Sequence, residues 1–377
     1  MSEANPQFPL VSVIIPAYNA EAFIERTLKS VLCQTYKNIE VLVIDDGSKD
    51  KTFEIVQSIA QQDSRVVLIQ QNNAGVATAR NLAIEKSQGE YIAPVDADDI
   101  WYAEKIEKQV NCILRAGKSV GLVYCWSINI DENDVITGHC PASKLEGKVY
   151  TDLLFQNFIN NASTPLIRRT CFEHIGGYNC QFKQQSAQGC EDWDIYLRIA
   201  ECYEFRVVPE FLVGYRQVIG SMAGNYKSMV KSYELVIADV QQRHPETSDS
   251  IYRLSKIFYY NYMLGKFYSS GGYWNTLLCL VKAVKSDWAI LTRPGMYVMI
   301  AVCLIKIAAN PITSLIWSDH RSWLQFKQKF IKNEPTLTIE KLYGQTDTSN
   351  KPTIWKPYDL ILCRRLSQIK QISEITW

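Results

Sequence analysis

The chain has 377 residues, of which 47% are hydrophobic and 21% charged, and its formal net charge is +1. It is too long for one ordinary domain and too apolar for a disordered polymer, and a near-neutral balance argues against nucleic acid as its partner. The balance hides an asymmetry: residues 1–100 carry 8 Lys and Arg against 14 Asp and Glu, whereas residues 226–332 carry 14 against 6. The acidic part suits a metal site, and the basic part suits an anionic surface or ligand.

Strand and helix alternate through the first hundred residues. Leu10–Ile15 is a continuous apolar run suited to a buried parallel strand, and a helical pattern follows from Ala22 to Gln34. The spacing then predicts a strand at Ile39–Ile44, a helix at Lys51–Gln61, a strand at Val66–Ile69, a helix at Val76–Ser87 and a strand at Glu90–Ala93. Such alternation implies a parallel sheet covered on both faces, with ligands bound beyond the carboxyl ends of the strands. A helix is expected at Ala103–Ala116. The pattern then becomes mixed: strands at Val120–Ile130, Pro165–Ile167 and Phe205–Val213, helices at Thr151–Phe158 and Trp193–Glu201, and a hairpin through Asp131–Asp134.

From Tyr226 the chain reads as helical, basic and aromatic, with Trp274, Trp288, Trp317 and Trp323. A packed helical region with these aromatics in its core is the favoured expectation, and peripheral membrane contact through amphipathic helices is the alternative. Residues Asn333–Thr353 are polar and carry two prolines, which suggests a linker before a tail. The eleven cysteines include no Cys-x-x-Cys pair, and Cys33, Cys279 and Cys303 fall on apolar helical faces, so buried free thiols are expected. Residues Met1–Leu10 lack the basic-then-apolar order of a secretory leader, and a cytoplasmic location is expected. The longest apolar run, Met296–Ile305, is far short of the roughly 20 residues of a spanning helix.

The chemistry concentrates in short polar segments. Asp96-Ala97-Asp98-Asp99 places three carboxylates in four positions straight after a strand. A hard divalent ion takes one or two carboxylates from a protein and completes its shell with water and phosphate oxygens. A solvated turn with capping acids is the competing explanation. Asp45-Asp46-Gly47-Ser48 and Ala17-Tyr18-Asn19 end two other strands, and Glu191-Asp192-Trp193-Asp194 opens a later helix. None of His139, His174, His244 or His320 sits at metal-ligand spacing with Cys or acids.

Val11–Asn19, Asp45–Ser48, Gly75–Asn81 with Arg80, Asp96-Ala97-Asp98 and Glu191–Asp194 occur in that order, and together they resemble an inverting glycosyltransferase of family 2 with the GT-A fold, over Leu10–Asn225. The resemblance implies an α/β, Rossmann-like, mostly parallel sheet with flanking helices in residues 1–225. A helical region at 226–332 and a linker and tail at 333–377 follow. It implies transfer of a sugar from a nucleoside-diphosphate sugar, UDP-sugar favoured, to a hydroxyl of a glycan or lipid-linked glycan, in polysaccharide or glycolipid assembly. A non-catalytic nucleotide-sugar-binding protein of the same fold is the alternative.

The same resemblance assigns roles. Asp98 is the expected ligand of a divalent cation, Mg²⁺ or Mn²⁺, and Asp96 and Ala97 lie beside the donor. Asp46, with Pro16, Ala17 and Tyr18, is expected at the base, where an acceptor-only carboxylate suits the ring N–H of uracil or thymine. Arg80 is expected to reach the base or diphosphate, with Arg216 and Lys227 as further diphosphate candidates. Asp192 is the expected general base, Glu191 and Trp193 are acceptor contacts, and Asp194 is expected to cap its helix. Family members often carry a histidine after a Tyr-Arg pair as a further metal ligand. Here Tyr215-Arg216 is followed by Gln217-Val218, and valine cannot ligate a metal.

Overall fold

The structure, a computed structural model, describes residues 8–217, 225–313 and 338–346. They divide into two compact units: 8–153, 157–217 and 338–343 form the first, and 154–156, 225–313 and 344–346 the second. Val218, residues 221–224, Trp317, Trp323 and most of the expected linker and tail lie outside the described residues.

The first unit opens with β1 (Val11–Ala17), α1 (Ile24–Leu32), β2 (Ile39–Asp45), α2 (Thr52–Ala60), β3 (Val66–Gln70), α3 (Val76–Lys86) and β4 (Tyr91–Pro94). β5 (Ile100–Trp101), α4 (Lys105–Ala116), β6 (Val120–Ile130), β7 (Ile136–His139), α5 (Tyr150–Phe155) and β8 (Leu166–Arg168) come next. α6 (Arg169–Ile175), α7 (Gln181–Gln184), α8 (Glu191–Ala200) and β9 (Glu204–Arg216) follow. Nine strands form one sheet in the order β3-β2-β1-β4-β8-β6-β9-β5, with β7 on β6. β3, β2, β1 and β4 are parallel, as their continuous apolar runs require, and β8 enters antiparallel between β4 and β6. The α/β sheet with flanking helices is thus the expected architecture.

Register sets the functional edge. Ala17 lies opposite Asp45, Asp45 opposite Gln70 and Ile14 opposite Pro94, and the Val95 N–H donates to the Ile14 carbonyl at 3.0 Å. The segments after β1, β2, β3 and β4 therefore emerge at one edge, where ligands of such sheets bind. Val13, Ile15, Val41, Val43, Tyr91 and Ala93 are buried in the core beneath them.

Three differences from expectation are local. β5 has only two residues, too few for a periodic signal, and α6 and α7 fall where no helix is expected. The hairpin after Ile130 forms as β7 folds back on β6. Cys33 is exposed at the end of α1, not buried, whereas Cys279 and Cys303 are buried free thiols.

The second unit contains α9 (Tyr226–Arg243), α10 (Asp249–Ser269), α11 (Tyr273–Ser286), a 3₁₀ segment (Trp288–Thr292) and α12 (Pro294–Thr313). Its core is built on tyrosines: the rings of Tyr233 and Tyr259 stack at 3.7 Å, and the Tyr233 hydroxyl shares a 2.7 Å hydrogen bond with Ser255. The expected aromatic core thus holds for the tyrosines. It fails for Trp274 and Trp288, which are exposed. α13 (Ile339–Thr346) is a helix inside the expected linker, and its Tyr343 hydroxyl accepts from the Phe211 N–H at 3.0 Å.

A lysine is among the buried charged side chains of the first unit. Lys105 is fully buried, with Nζ 4.0 Å from the centre of the Trp101 ring and donating to Gln109 Oε1 at 2.8 Å. Burial pushes its amine down to about 8. The unfolded chain holds this proton to an ordinary lysine value while the folded chain releases it near pH 8, so stability attributable to Lys105 rises as pH climbs above about 8. Lys105→Met removes that contribution. Chemical denaturation at pH 7 and pH 9.5 is expected to show wild type gaining relative to the variant at the higher pH, and an equal difference at both would refute the assignment.

Candidate active site

The acidic segment after β4 is held from below by Ser163. Its hydroxyl accepts from the Asp96 N–H at 3.0 Å and donates to Asp99 Oδ2, while its carbonyl accepts from Trp101 Nε1 at 2.9 Å. Asp99 is fully buried, and its other oxygen accepts from the Arg216 N–H at 2.9 Å. Burial, with Asp98 and Asp96 nearby, drives its carboxyl well above the usual range. Asp99 is therefore a tether between this segment and the end of β9.

Arg216 differs from its expected role. It is buried, and its guanidinium donates to the carbonyls of Asp98 (2.6 Å) and Asp131 (2.5 Å) and pairs with Asp134. Three of its five N–H donors are thus engaged inside the protein. Lys227 is exposed in the second unit.

Asp96 and Asp98 have other surroundings. Asp96 keeps 32% of its side chain exposed and pairs with Arg80 at 2.5 Å. Arg80 is buried over the Tyr178 ring, 5.3 Å from its centre. Burial opposes its charge, but Asp96, Tyr178, Asp192 and Glu191 raise it above the ordinary arginine value. Asp98 makes no side-chain hydrogen bond to another described residue, and burial, with Asp96 beside it, pushes its carboxyl up to about 6. A cation would relieve that repulsion. Asp98 and Asp96 offer the one or two carboxylates that a hard divalent ion takes from a protein before water and substrate oxygens complete its shell; among the described residues no three His, Cys, Asp or Glu side chains converge on a metal position.

At the first loops, Asn19 adopts φ 49° and its N–H donates to Ser48 Oγ at 3.0 Å, while its amide oxygen accepts from the Lys49 N–H at 2.8 Å. This fastens the segment after β1 to the one after β2. Pro16 and Ala17 lie at the end of β1, and Tyr18 projects with half its surface exposed. Asp46 is buried. It accepts from the N–H groups of Ala74 (2.7 Å) and Gly75 (2.8 Å) and from Gln71 Nε2 (2.6 Å), so most of its capacity fixes the turn into α3. Gly75 has φ 95°, and a Cβ there would stand 2.6 Å from Lys183, so only glycine suits this turn.

α8 starts from Gly189 at φ 117°, whose N–H donates to Glu191 Oε2 at 2.8 Å. Asp192 accepts from the Trp193 N–H at 2.7 Å and from Asn157 Nδ2 at 3.5 Å. Burial raises its carboxyl to about 7 against the opposing pull of Arg80. Asp194 lies in the first turn of the helix, where it is expected to cap. It pairs with Arg198 one turn on, at 2.7 Å. Trp193 is buried, with its indole N–H on the Leu153 carbonyl at 2.7 Å, and packs instead of offering a ligand a face. Glu191 is nearly as buried.

The structure brings Asp96, Arg80, Glu191 and Asp192 within mutual electrostatic reach. Three buried polar atoms nearby have no hydrogen-bond partner among the described residues: Arg80 Nε, the Tyr178 hydroxyl and Asn157 Oδ1. Buried polar groups are normally satisfied, so this set is suited to a polar ligand. Ser163, Asn157 and Tyr178 were not singled out by sequence. The one local signal is the Gly176-Gly177 turn before Tyr178.

The model of Glycosyl transferase family 2 matches residues 12–182. The "Putative teichuronic acid biosynthesis glycosyltransferase TuaG" of Bacillus subtilis is 32% identical over 239 residues, 63% of this chain and 90% of that protein. An uncharacterized glycosyltransferase of Haemophilus influenzae is 47% identical over 108 residues, 28% of this chain and 43% of its own length. The crystal structure of S. aureus TarS 1–349 in complex with UDP-GlcNAc is 16% identical, with 78% of this chain and 79% of that one covered and a TM-score of 0.49. The chain belongs to glycosyl transferase family 2, and with it to the glycosyltransferases.

Ser163→Ala tests the tether. It leaves the buried Asp99 carboxylate short of a donor, and a loss of about 1–3 kcal/mol in unfolding free energy is expected. An unchanged urea midpoint would show that Asp99 does not depend on this hydroxyl.

Proposed function

We propose that this chain is an inverting transferase that moves a sugar from a nucleoside-diphosphate sugar, a UDP-sugar by preference, to a hydroxyl of a glycan or lipid-linked glycan. The observation that carries this reading is Asp192, a carboxylate raised to about 7 within reach of Arg80 and Asp96. A base acts best when its pKa lies near the working pH. The acceptor oxygen attacks the anomeric carbon as the bond to the diphosphate breaks, and the hydroxyl proton passes to an oxygen of Asp192. Asn157 and the Trp193 N–H fix the orientation of that carboxylate.

Asp98, with Asp96 at its side, would hold a divalent cation, Mg²⁺ or Mn²⁺, which when bound supplies positive charge to the departing diphosphate. Arg80 adds a permanent charge at the same place, and its Nε, without a partner among the described residues, would serve a donor oxygen. Asp46 and Tyr18 frame the base. The relationship to a protein named for teichuronic acid biosynthesis supports polysaccharide assembly as the setting.

Asp192→Asn is expected to cut transfer about 10²–10⁴-fold, while donor-induced thermal stabilisation stays within twofold of wild type. Release of nucleoside diphosphate from a panel of UDP-, GDP- and dTDP-sugars measures the first. A wild type without turnover or cation-dependent donor binding on that panel overturns the enzyme reading. The protonated form of Asp192 cannot accept a proton, so kcat/KM should fall about tenfold per pH unit below about 7. A profile flat from pH 8 to pH 5.5 would remove Asp192 from the role.

A further inference from the structure

Large apolar side chains are exposed singly across the first unit. Within residues 8–217 they are Phe8, Tyr18, Val67, Leu114 and Val135. Isolated exposures of this kind are ordinary. The second unit differs, because eight occur in the 32 residues from Trp274 to Ile305.

They follow the helical repeat. On α11, Trp274 (62% exposed), Leu278 (50%) and Val281 (53%) recur at four and then three residues and so share one face, opposite the buried Cys279, Leu280 and Ala283. Trp288 in the 3₁₀ segment is 71% exposed. On α12, Val298 and Ile305, both 64% exposed, lie two turns apart, and the buried Met296 and Cys303 occupy the other side. These three consecutive elements pack on one another.

Their charges are one-sided. Between residues 273 and 313 the cations are Lys282, Lys285, Arg293 and Lys306, and Asp287 is the only acid. Asp287 is turned to the backbone, where it accepts from the Ala289 N–H at 2.9 Å. Lys282 pairs with Glu234 at 2.7 Å, while Lys285 and Lys306 are exposed. Elements that expose tryptophan and aliphatic groups together with lysines match the chemistry of the boundary between the acyl chains and the anionic headgroups of a bilayer. Among the described residues no helix is long and apolar enough to span one.

We propose that α11, the 3₁₀ segment and α12 dock on an anionic lipid surface, lying in the interface without crossing it. Trp274 and Trp288 enter the headgroup boundary, Leu278, Val281, Val298 and Ile305 meet the acyl chains, and Lys285 and Lys306 contact anionic headgroups. A second copy of this chain could cover the apolar part, but it would bring the same lysines to a surface with almost no acid, and like charges oppose that pairing. Docking uses neither Asp98 nor Asp192, so it stands or falls apart from sugar transfer.

Sedimentation of the full chain with vesicles tests the proposal. Vesicles of phosphatidylglycerol and phosphatidylcholine in equal parts should pellet the protein, pure phosphatidylcholine should pellet several-fold less, and raised salt should weaken the binding. Adding the mixed vesicles should shift tryptophan emission to the blue. The triple variant W274S/L278S/W288S alters exposed residues only and is expected to keep the wild-type melting temperature while binding at least tenfold more weakly. K285E/K306E should lose binding to the anionic vesicles by a similar factor. A wild type that stays in the supernatant with every vesicle, or a triple variant that binds as wild type does, overturns the proposal. So does a concentration-dependent dimer in sedimentation velocity that the triple variant abolishes, because a second copy then covers the face.

Discussion

Three carboxylates within four positions repel one another, and the architecture of the site follows from how that repulsion is managed. Each acid receives a different environment. Asp96 is answered by the buried Arg80, and Asp99 is enclosed and hydrogen-bonded by Ser163 and the Arg216 N–H. Asp98 is left with burial and its acidic neighbour, and its carboxyl rises accordingly. A turn that only joined a strand to a helix would gain nothing from this arrangement. A turn that receives a cation or a charged ligand at Asp98 would hold its other two acids as this one does.

The management depends on distant chain segments. Ser163 reaches the acids because β8 runs antiparallel to β4, and Arg216 reaches them because β9 runs beside β6 and β5. Arg216 is itself held by the hairpin after β6 through Asp131 and Asp134, while Phe23, just before α1, lies 4.8 Å below its guanidinium. The fold thus closes a ring of contacts around one short segment. Its rigidity comes from backbone pairing, which fixes a site more firmly than long side chains can.

The parallel half of the sheet was legible because buried parallel strands are written as near-continuous apolar runs, and Val11–Ala17 and Ile39–Asp45, interrupted only by Ser12, Glu40 and the terminal Asp45, are two of these. α8 was legible from its acids and the apolar pattern after them. β5 was not, because two residues carry no period. Arg216 was misread for a physical reason: an arginine after a strand is normally solvated, and only three-dimensional placement of two carbonyls and a carboxylate makes its burial tolerable. Asp46 has a second task that sequence did not show: three of its acceptor positions fix the turn before α3. Ser163, Asn157 and Tyr178 were invisible because their meaning comes from contacts across 30 to 100 residues. Trp274 and Trp288 read as core from composition, which cannot tell an inward from an outward helical face.

Arg80 joins the two halves of the proposed chemistry. It is a buried cation within reach of both Asp96, on the proposed donor side, and Asp192, on the proposed acceptor side, and its charge holds Asp192 below the value that burial alone would give. A single charge cannot serve two anions at full strength. An anionic donor that draws on the free Nε of Arg80 would relax its hold on Asp192 and increase that carboxylate's affinity for a proton. Proton uptake would then become more favourable at the moment a donor is present and less favourable without one. On the proposed chemistry, the arginine that anchors the acidic segment would therefore link occupancy of the donor side to the strength of the base through electrostatics.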